Sequence, residues 1–237
     1  MADDSPTVSR ETFGPSSGRP AATPETEPES ALQVFGDRID LARRFTADLA
    51  QFGEQLGLIG PREASRLWSR HIINCAVVGP YLRAGGRVGD VGSGAGLPGL
   101  VLAIARPDVD LVLIEPMERR TDWLLAETQR LGLTNVTVAR ARAEEVAGTG
   151  AHDAVRFDQV TARAVSALSK LIPLVVPLVR PEGELLLLKG ARVDDEIAAS
   201  SAVIRKHRVR DVEVLELGAG VVPEVTRLFR ATVGGAS

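Results

Sequence analysis

Cysteine is almost missing from this 237-residue sequence: Cys75 stands alone, so no disulfide can form within the chain. That usage suits a reducing compartment, and the cytoplasm is the expected location. No basic start, apolar stretch and small-residue cleavage site combine into a secretory leader. Long apolar runs are missing too. Residues 183–188 and 164–179 are too short, or too interrupted by charge and proline, to cross a bilayer, so no membrane insertion is expected. Aromatic residues make up only 4% of the chain, which leaves few platforms for stacking bases. Neither a metal-ligand cluster nor a nucleophile–base–orienter set is visible, and no metal is expected. No oligomer surface is legible, and a monomer is expected.

A large excess of positive charge is also lacking. The net charge is −3, which argues against a strongly basic nucleic-acid binder. The charge is unevenly spread, however. Residues 1–33 hold six acids against Arg10 and Arg19, leaving 26 bases against 25 acids in the remainder. Any RNA contact must therefore come from local arginine clusters, with Arg119, Arg120, Arg130, Arg140, Arg142, Arg205, Lys206, Arg208 and Arg210 as candidates. The first 33 residues are dense in Pro, Ser, Thr, Gly and Glu and are expected to form a disordered acidic tail.

What the sequence does have is 44% hydrophobic residues, enough for one continuous core. Residues 34–84 read as a helical prefix: Ile39, Phe45, Leu49, Phe52 and Leu56 recur at helical spacing, and 62–81 continues as one or two helices. From residue 85 to 237 short β-branched runs alternate with helical patterns. Strands are predicted at 87–91, 111–115, 136–139, 157–161 and 184–188. Near-continuous apolar strands separated by helices require a parallel sheet covered on both faces, so the expected fold is a doubly wound, Rossmann-like α/β domain. After a helix near 194–206, the segments 209–217 and 226–233 are expected to pair as an antiparallel hairpin at the end of the sheet.

The densest local signal is the run from Arg87 to Gly99, a strand entering a glycine-rich turn and then a helix. Gly92, Gly94 and Gly96 allow the backbone to turn tightly and approach a ligand with no Cβ in the way. The second strand ends in Glu115, 23 residues after Gly92, where a carboxylate can accept from both ribose hydroxyls of a nucleoside. The loop reads Gly-x-Gly-x-Gly after Asp90, not the Gly-x-Gly-x-x-Gly of a dinucleotide site. An acidic strand end favours a cationic nucleoside such as S-adenosylmethionine. Asp90 either assists that cation or caps the strand end. At the third strand, Ala143 and Glu144 either meet an adenine edge or form an ordinary acidic helix start.

These residues resemble one family: bacterial methyltransferases that act on guanine N7 in 16S ribosomal RNA, also called glucose-inhibited division protein B. The likeness runs from about Phe35 to the C-terminus. It rests on Leu67-Trp-Ser-Arg-His-Ile72, Asp90-Val-Gly-Ser-Gly-Ala-Gly-Leu-Pro-Gly99, Glu115-Pro, Arg142-Ala-Glu-Glu145, Thr161-Ala-Arg-Ala164 and Leu187-Leu-Lys-Gly190. The resemblance implies S-adenosylmethionine as cofactor and 16S ribosomal RNA, or the small subunit, as partner. It also implies that Gly92, Leu97, Ala143, Glu144 and Arg163 contact or border the cofactor and that Glu115 binds its ribose. Two departures stand out: the longer acidic N-terminus, and Phe52-Gly-Glu-Gln-Leu-Gly-Leu-Ile59 where the family usually has an Asn-Leu-Thr segment.

Guanine N7 carries a free lone pair, so such a transfer needs positioning and no general base. Arg163, just past the fourth strand, is the expected catalytic residue, reading guanine O6 or a phosphate. Arg70, His71, Arg142 and Lys189 are expected on an RNA-facing rim, although His71 reads equally well as a histidine bonded within the fold. Two competing readings are an NAD(P)-linked oxidoreductase, which lacks a Tyr-x-x-x-Lys pair here, and a non-enzymatic RNA-binding or assembly module.

Overall fold

A computed structural model of the chain describes residues 25–147 and 156–235. Of the acidic tail expected over 1–33, residues 1–24 lie outside the described residues, whereas the chain from Glu25 onward is packed. Residues 25–33 are thus held against the fold, and two of their acids have local partners. The Glu25 N–H donates to the Ala64 carbonyl at 3.1 Å and its carboxylate accepts from the Ser69 N–H at 3.0 Å. Glu27 takes both arms of the Arg43 guanidinium at 2.7 and 2.8 Å. Helix α1 (Ser30–Phe35) then buries Ala31 and Phe35.

Helix α2 (Ile39–Phe52) seals one face of the domain with Ile39, Ala42, Phe45 and Leu49. The predicted helices over 62–81 are more broken than their pattern suggested. A 3-10 turn (Ala64–Arg66) opens into a wide π-helix (Leu67–Ile73), a single α-turn, α3 (Asn74–Ala76), and another 3-10 turn (Gly79–Tyr81). Leu67, Trp68, Ile72 and Ile73 all face the core.

Seven strands form one sheet: β1 (Arg87–Val91), β2 (Asp110–Ile114), β3 (Val136–Ala139), β4 (Phe157–Arg163), β5 (Val179–Lys189), β6 (Val209–Leu217) and β7 (Thr226–Val233). Their order is β3-β2-β1-β4-β5-β7-β6. The first five run parallel, and β7 is antiparallel to both β5 and β6. The expected terminal hairpin forms, but its second strand inserts next to β5 and leaves β6 at the edge. Helices α4 (Gly99–Ala105), α5 (Glu118–Arg130), α6 (Ala143–Ala147), α7 (Leu168–Val175), α8 (Val193–Ala199) and α9 (Ser201–Lys206) complete the chain. The single helix expected near 194–206 is thus two, parted at the buried Ser200.

Strands β1 and β2 each bury four of five residues, as strands covered on both faces must. One core joins the prefix, α4 and α5 to one face of the sheet, and a second joins α7 and α9 to the other. The chain winds outward in opposite directions from β1 and β4, which opens a crevice beyond their carboxyl ends. No helix among the described residues is long and apolar enough to cross a membrane.

Candidate functional site

The glycine loop leaves β1 at that crevice. Gly92, Gly94 and Gly96 have φ of +73°, +53° and +92°, left-handed values that a side chain tolerates poorly. The Gly92 N–H donates to the Ile114 carbonyl at 2.9 Å, tying the loop to β2. From behind, the Trp123 indole N–H donates to the Ala95 carbonyl at 3.0 Å.

Asp90 is fully buried and turned into the protein. Its Oδ2 accepts from the Gly99 N–H at 3.1 Å and its Oδ1 from the Thr161 hydroxyl at 2.9 Å. Burial pushes its carboxyl up to about 6 against the opposing pull of these hydrogen bonds. Of the two readings of Asp90 the structure favours the capping one: both oxygens face α4 and β4, and Asp90 is not on the cavity wall. Gly96 is likewise buried, and a Cβ there would meet Leu100 at 2.5 Å. It packs the loop against α4 and does not border the cavity, contrary to expectation.

Over the loop lies a cavity of about 660 Å³ that brings together Gly92, Gly94, Leu97, Glu115, Arg142, Ala143, Glu144, His71 and Arg163. Glu115 is only 2% exposed. Its Oε2 accepts from the Gly94 N–H and its Oε1 from the Met117 N–H, each at 3.0 Å. Each oxygen therefore keeps a lone pair for a ribose hydroxyl. Ile114, Met117 and Ala143 supply apolar walls, and Met117 is 47% exposed at the lip. Glu63, Glu115 and Glu144 put three carboxylates around the space. Arg120, Arg142 and Arg163 line the same space, so its formal charge is balanced, and an adenine nucleoside fits it through a carboxylate for its diol and apolar surface for its base.

Arg163 borders this cavity, yet its guanidinium is committed elsewhere. It donates to the Arg70 carbonyl at 3.0 Å, the His71 carbonyl at 3.4 Å, His71 Nδ1 at 2.9 Å and Cys75 Sγ at 3.0 Å. A guanidinium has only donors, so Nδ1 accepts and the imidazole proton sits on Nε2, donating to Glu63 Oε2 at 2.6 Å. Burial and the neighbouring Arg163 charge push His71 down to about 4, so it is neutral at pH 7. Burial pushes Glu63 up, but Arg66 and His71 outweigh it and hold the carboxyl below its ordinary value. Arg163 is thus the anchor joining β4 to the prefix, and His71 is the histidine bonded within the fold. For the guanine-reading role expected of Arg163, both terminal nitrogens are already engaged, and only Nε–H has no partner among the described residues.

A second cavity, of about 1120 Å³, lies alongside and shares Arg163 and Ala164 with the first. Ala164 is left-handed, with φ of +53°, and turns the chain between the two spaces. Lys189 lines this second cavity but is no free rim cation: Nζ donates to the Ser166 carbonyl at 2.9 Å and pairs with Glu196 at 2.7 Å. Arg70, also on this wall, pairs with Glu224 at 3.0 Å. Arg142 is exposed and its side chain has no ion-pair partner among the described residues. Sequence reasoning missed Glu63, Met117, Asn74 and Ala164. Met117, two residues past Glu115, was the one open to inference. Glu63 reaches His71 only through the 3-10 and π turns between them, which no regular spacing announces.

A family model described as "rRNA small subunit methyltransferase G" matches residues 38–225. Among curated relatives bearing the name Ribosomal RNA small subunit methyltransferase G, that of Clavibacter michiganensis is 62% identical over 209 residues, covering 88% of this chain and 96% of its own. That of Pseudarthrobacter chlorophenolicus is 50% identical, covering 87% and 94%. That of Streptomyces coelicolor is 46% identical, covering 87% and 85%. Solved structures share the fold at low identity. A cofactor-bound protein from MTB superposes with a TM-score of 0.56 at 17% identity, covering 81% of this chain and 91% of that one. A SAM-dependent O-methyltransferase from Thermotoga maritima gives 0.53 at 17%, covering 70% and 66%.

Proposed function

Because the chain belongs to the rRNA small subunit methyltransferase G family, we propose that it moves a methyl group from S-adenosylmethionine to N7 of one guanine in 16S ribosomal RNA. The observation that carries this reading is the pairing of two cavities across the Arg163–Ala164 turn, one lined for an adenine nucleoside and one open beside it for an acceptor. The family is one of S-adenosylmethionine-dependent methyltransferases, and that cofactor supplies an electrophilic methyl on a sulfonium.

The protein's own residues bind and position. Glu115 takes the ribose hydroxyls, the Gly92–Leu97 loop bounds the cofactor, and Ala143 and Glu144 close the adenine side. Asp90 holds the loop from behind by fixing the Gly99 N–H. Arg163 keeps the prefix, and with it one wall of each cavity, in register with β4. With the cofactor bound, its electrophilic methyl would be open to the guanine N7 lone pair, which needs no deprotonation to attack. No proton moves, so no general base is required; holding the partners at attack distance supplies on the order of 7 kcal/mol. Arg142, at the lip with an uncommitted guanidinium, suits a backbone phosphate of the RNA.

We place this activity in the cytoplasm, with a monomer acting on the small subunit or its RNA. Labelled S-adenosylmethionine, incubated with small subunits from cells lacking the protein, should place label on a single guanine N7. No transfer to subunits or to their free RNA would overturn the assignment. Sedimentation at micromolar concentration should give a single 25.2 kDa species.

A further inference from the structure

The π-helix Leu67–Ile73 contributes to both cavities, since Arg70 lines the second and His71, the next residue, lines the first. The first N–H groups of a helix have no acceptor within it, and a π-helix, whose bonds reach five residues back, leaves more of them than an α-helix. Ser69 is the third residue of this one. Ala64, five residues before it, stands at the spacing of a π-helical rung, and Glu25 takes up both ends of that rung. Its N–H donates to the Ala64 carbonyl at 3.1 Å and its carboxylate accepts from the Ser69 N–H at 3.0 Å. The exchange is reciprocal, as in a capping box, but it comes from 44 residues away in the chain. The same segment has two further ties. Glu27 holds both arms of the Arg43 guanidinium on α2 at 2.7 and 2.8 Å, and the Ser30 hydroxyl donates to the Val221 carbonyl at 2.9 Å. Just beyond Val221, the stretch 223–227 also lines the second cavity. All of 25–30 lies ahead of residue 38, where the match to the family model begins.

We propose that residues 25–30 brace the second cavity, with Glu25 a positioning residue that fixes the π-helix so that Arg70, and the backbone carbonyls that grip Arg163, stand where the RNA is received. The inference rests on the methyl-transfer reading above and adds what holds the RNA-receiving wall. Without the Glu25 carboxylate the half-buried Ser69 N–H loses its acceptor, and the start of the helix is free to fray or to tighten towards α-helical spacing. Either change moves Arg70 and His71 relative to Ala64, and Arg163 with them, because it donates to both of their carbonyls. The cofactor side is held independently. Glu115 and the glycine loop are fixed by Gly94, Met117 and Trp123, with no bond to residues 25–30 among the described residues. Loss of the brace therefore weakens RNA binding and spares cofactor binding.

Three measurements on the full chain test this together: steady-state methyl transfer to small subunits, calorimetry with S-adenosylhomocysteine, and amide hydrogen exchange on the free protein. Glu25→Ala should raise KM for small subunits by about tenfold with kcat within about twofold, the pattern of a lost binding contribution. Its affinity for S-adenosylhomocysteine should be unchanged. Its Ser69 amide should exchange about tenfold faster than in wild type, since opening no longer breaks a bond to a carboxylate. Glu25→Gln keeps an acceptor oxygen for that N–H and should restore both KM and exchange, which a role through charge alone would not allow. Wild-type KM in Glu25→Ala, or a Glu25→Gln that behaves as Glu25→Ala does, would overturn the brace while leaving the methyltransferase reading intact. A matching loss of cofactor affinity would make Glu25 a support of the whole fold and would overturn it too. Unchanged Ser69 exchange in Glu25→Ala would overturn it whatever the substrate. A wild-type protein that methylates no subunit would overturn the methyl-transfer reading and the KM effect together, and the exchange of Ser69 tells that failure apart from failure of the brace.

Discussion

Asp90→Asn should stabilise the protein at neutral pH, because the wild-type carboxyl is ionised there in a place that disfavours charge. Asp90 is completely buried, and burial moves its titration from 3.8 to about 6. The folded pKa is the higher one, so between those values the native state holds more protons than the unfolded chain. Stability credited to this group is full below 3.8 and is lost as pH rises through 6. The displacement corresponds to about 3 kcal/mol in all, of which about 2 falls between pH 4 and 7. Asparagine can keep both hydrogen bonds, with Oδ1 accepting from the Gly99 N–H and Nδ2 donating to the Thr161 hydroxyl oxygen, and it carries no titration. Urea unfolding of both proteins at pH 4 and pH 7 is the assay. Glu127 is also pushed up, to about 7, by burial. The measurement is therefore the variant-minus-wild-type difference, which should grow by about 2 kcal/mol from pH 4 to pH 7. S-adenosylmethionine affinity should stay within about twofold, since Asp90 stands behind the loop. A pH-independent difference would refute the buried-charge argument, and a collapse of cofactor affinity would return Asp90 to the binding site.

Gly92→Asp should abolish S-adenosylmethionine binding in calorimetry, because φ is +73° and a Cβ there meets Val165 at 3.0 Å with a charge added at the cavity floor; retained affinity would contradict the site. Arg163→Ala should cost about 2 kcal/mol of stability through its lost hydrogen bonds, roughly 5 °C in melting temperature. The same variant should slow methyl transfer on the order of a hundredfold by freeing the prefix wall, and wild-type rates would exclude that role. Phe35→Ala should cost about 3 kcal/mol or more in urea unfolding, since Phe35 is 4% exposed; an unchanged midpoint would show that α1 is not part of the core.

The parallel sheet and the cofactor loop were legible because each writes a local pattern: short β-branched or leucine-rich runs between helical stretches, and glycines where φ turns positive. Strand neighbours leave no such trace. Segments 209–217 and 226–233 read as strands that pair, but nothing in their alternation says that the later one lies beside β5. The side chain of Asp90 also defied prediction, since an acid before the loop has the same sequence whether it faces a ligand or a helix N–H. Arg163 was found by position, while its partners were not, because a π-helix moves the Arg70 and His71 carbonyls off the α-helical spacing on which sequence reading depends. At the N-terminus composition misled outright: Glu25 and Glu27 look like solvated charge and are instead ties to Ser69 and Arg43.

The insertion of β7 between β5 and β6 has a consequence for how the molecule is made. Strand β6 leaves the ribosome before β7, yet in the finished sheet it pairs with β7 alone. Throughout that interval β5 presents a long open edge and β6 has nothing to bond, so the five parallel strands can assemble vectorially while the last third of the sheet must wait. A chain stalled between residues 217 and 226 holds all of the cofactor loop but an unfinished sheet, and a holdase that shields apolar strand edges should capture it far more readily than the completed protein.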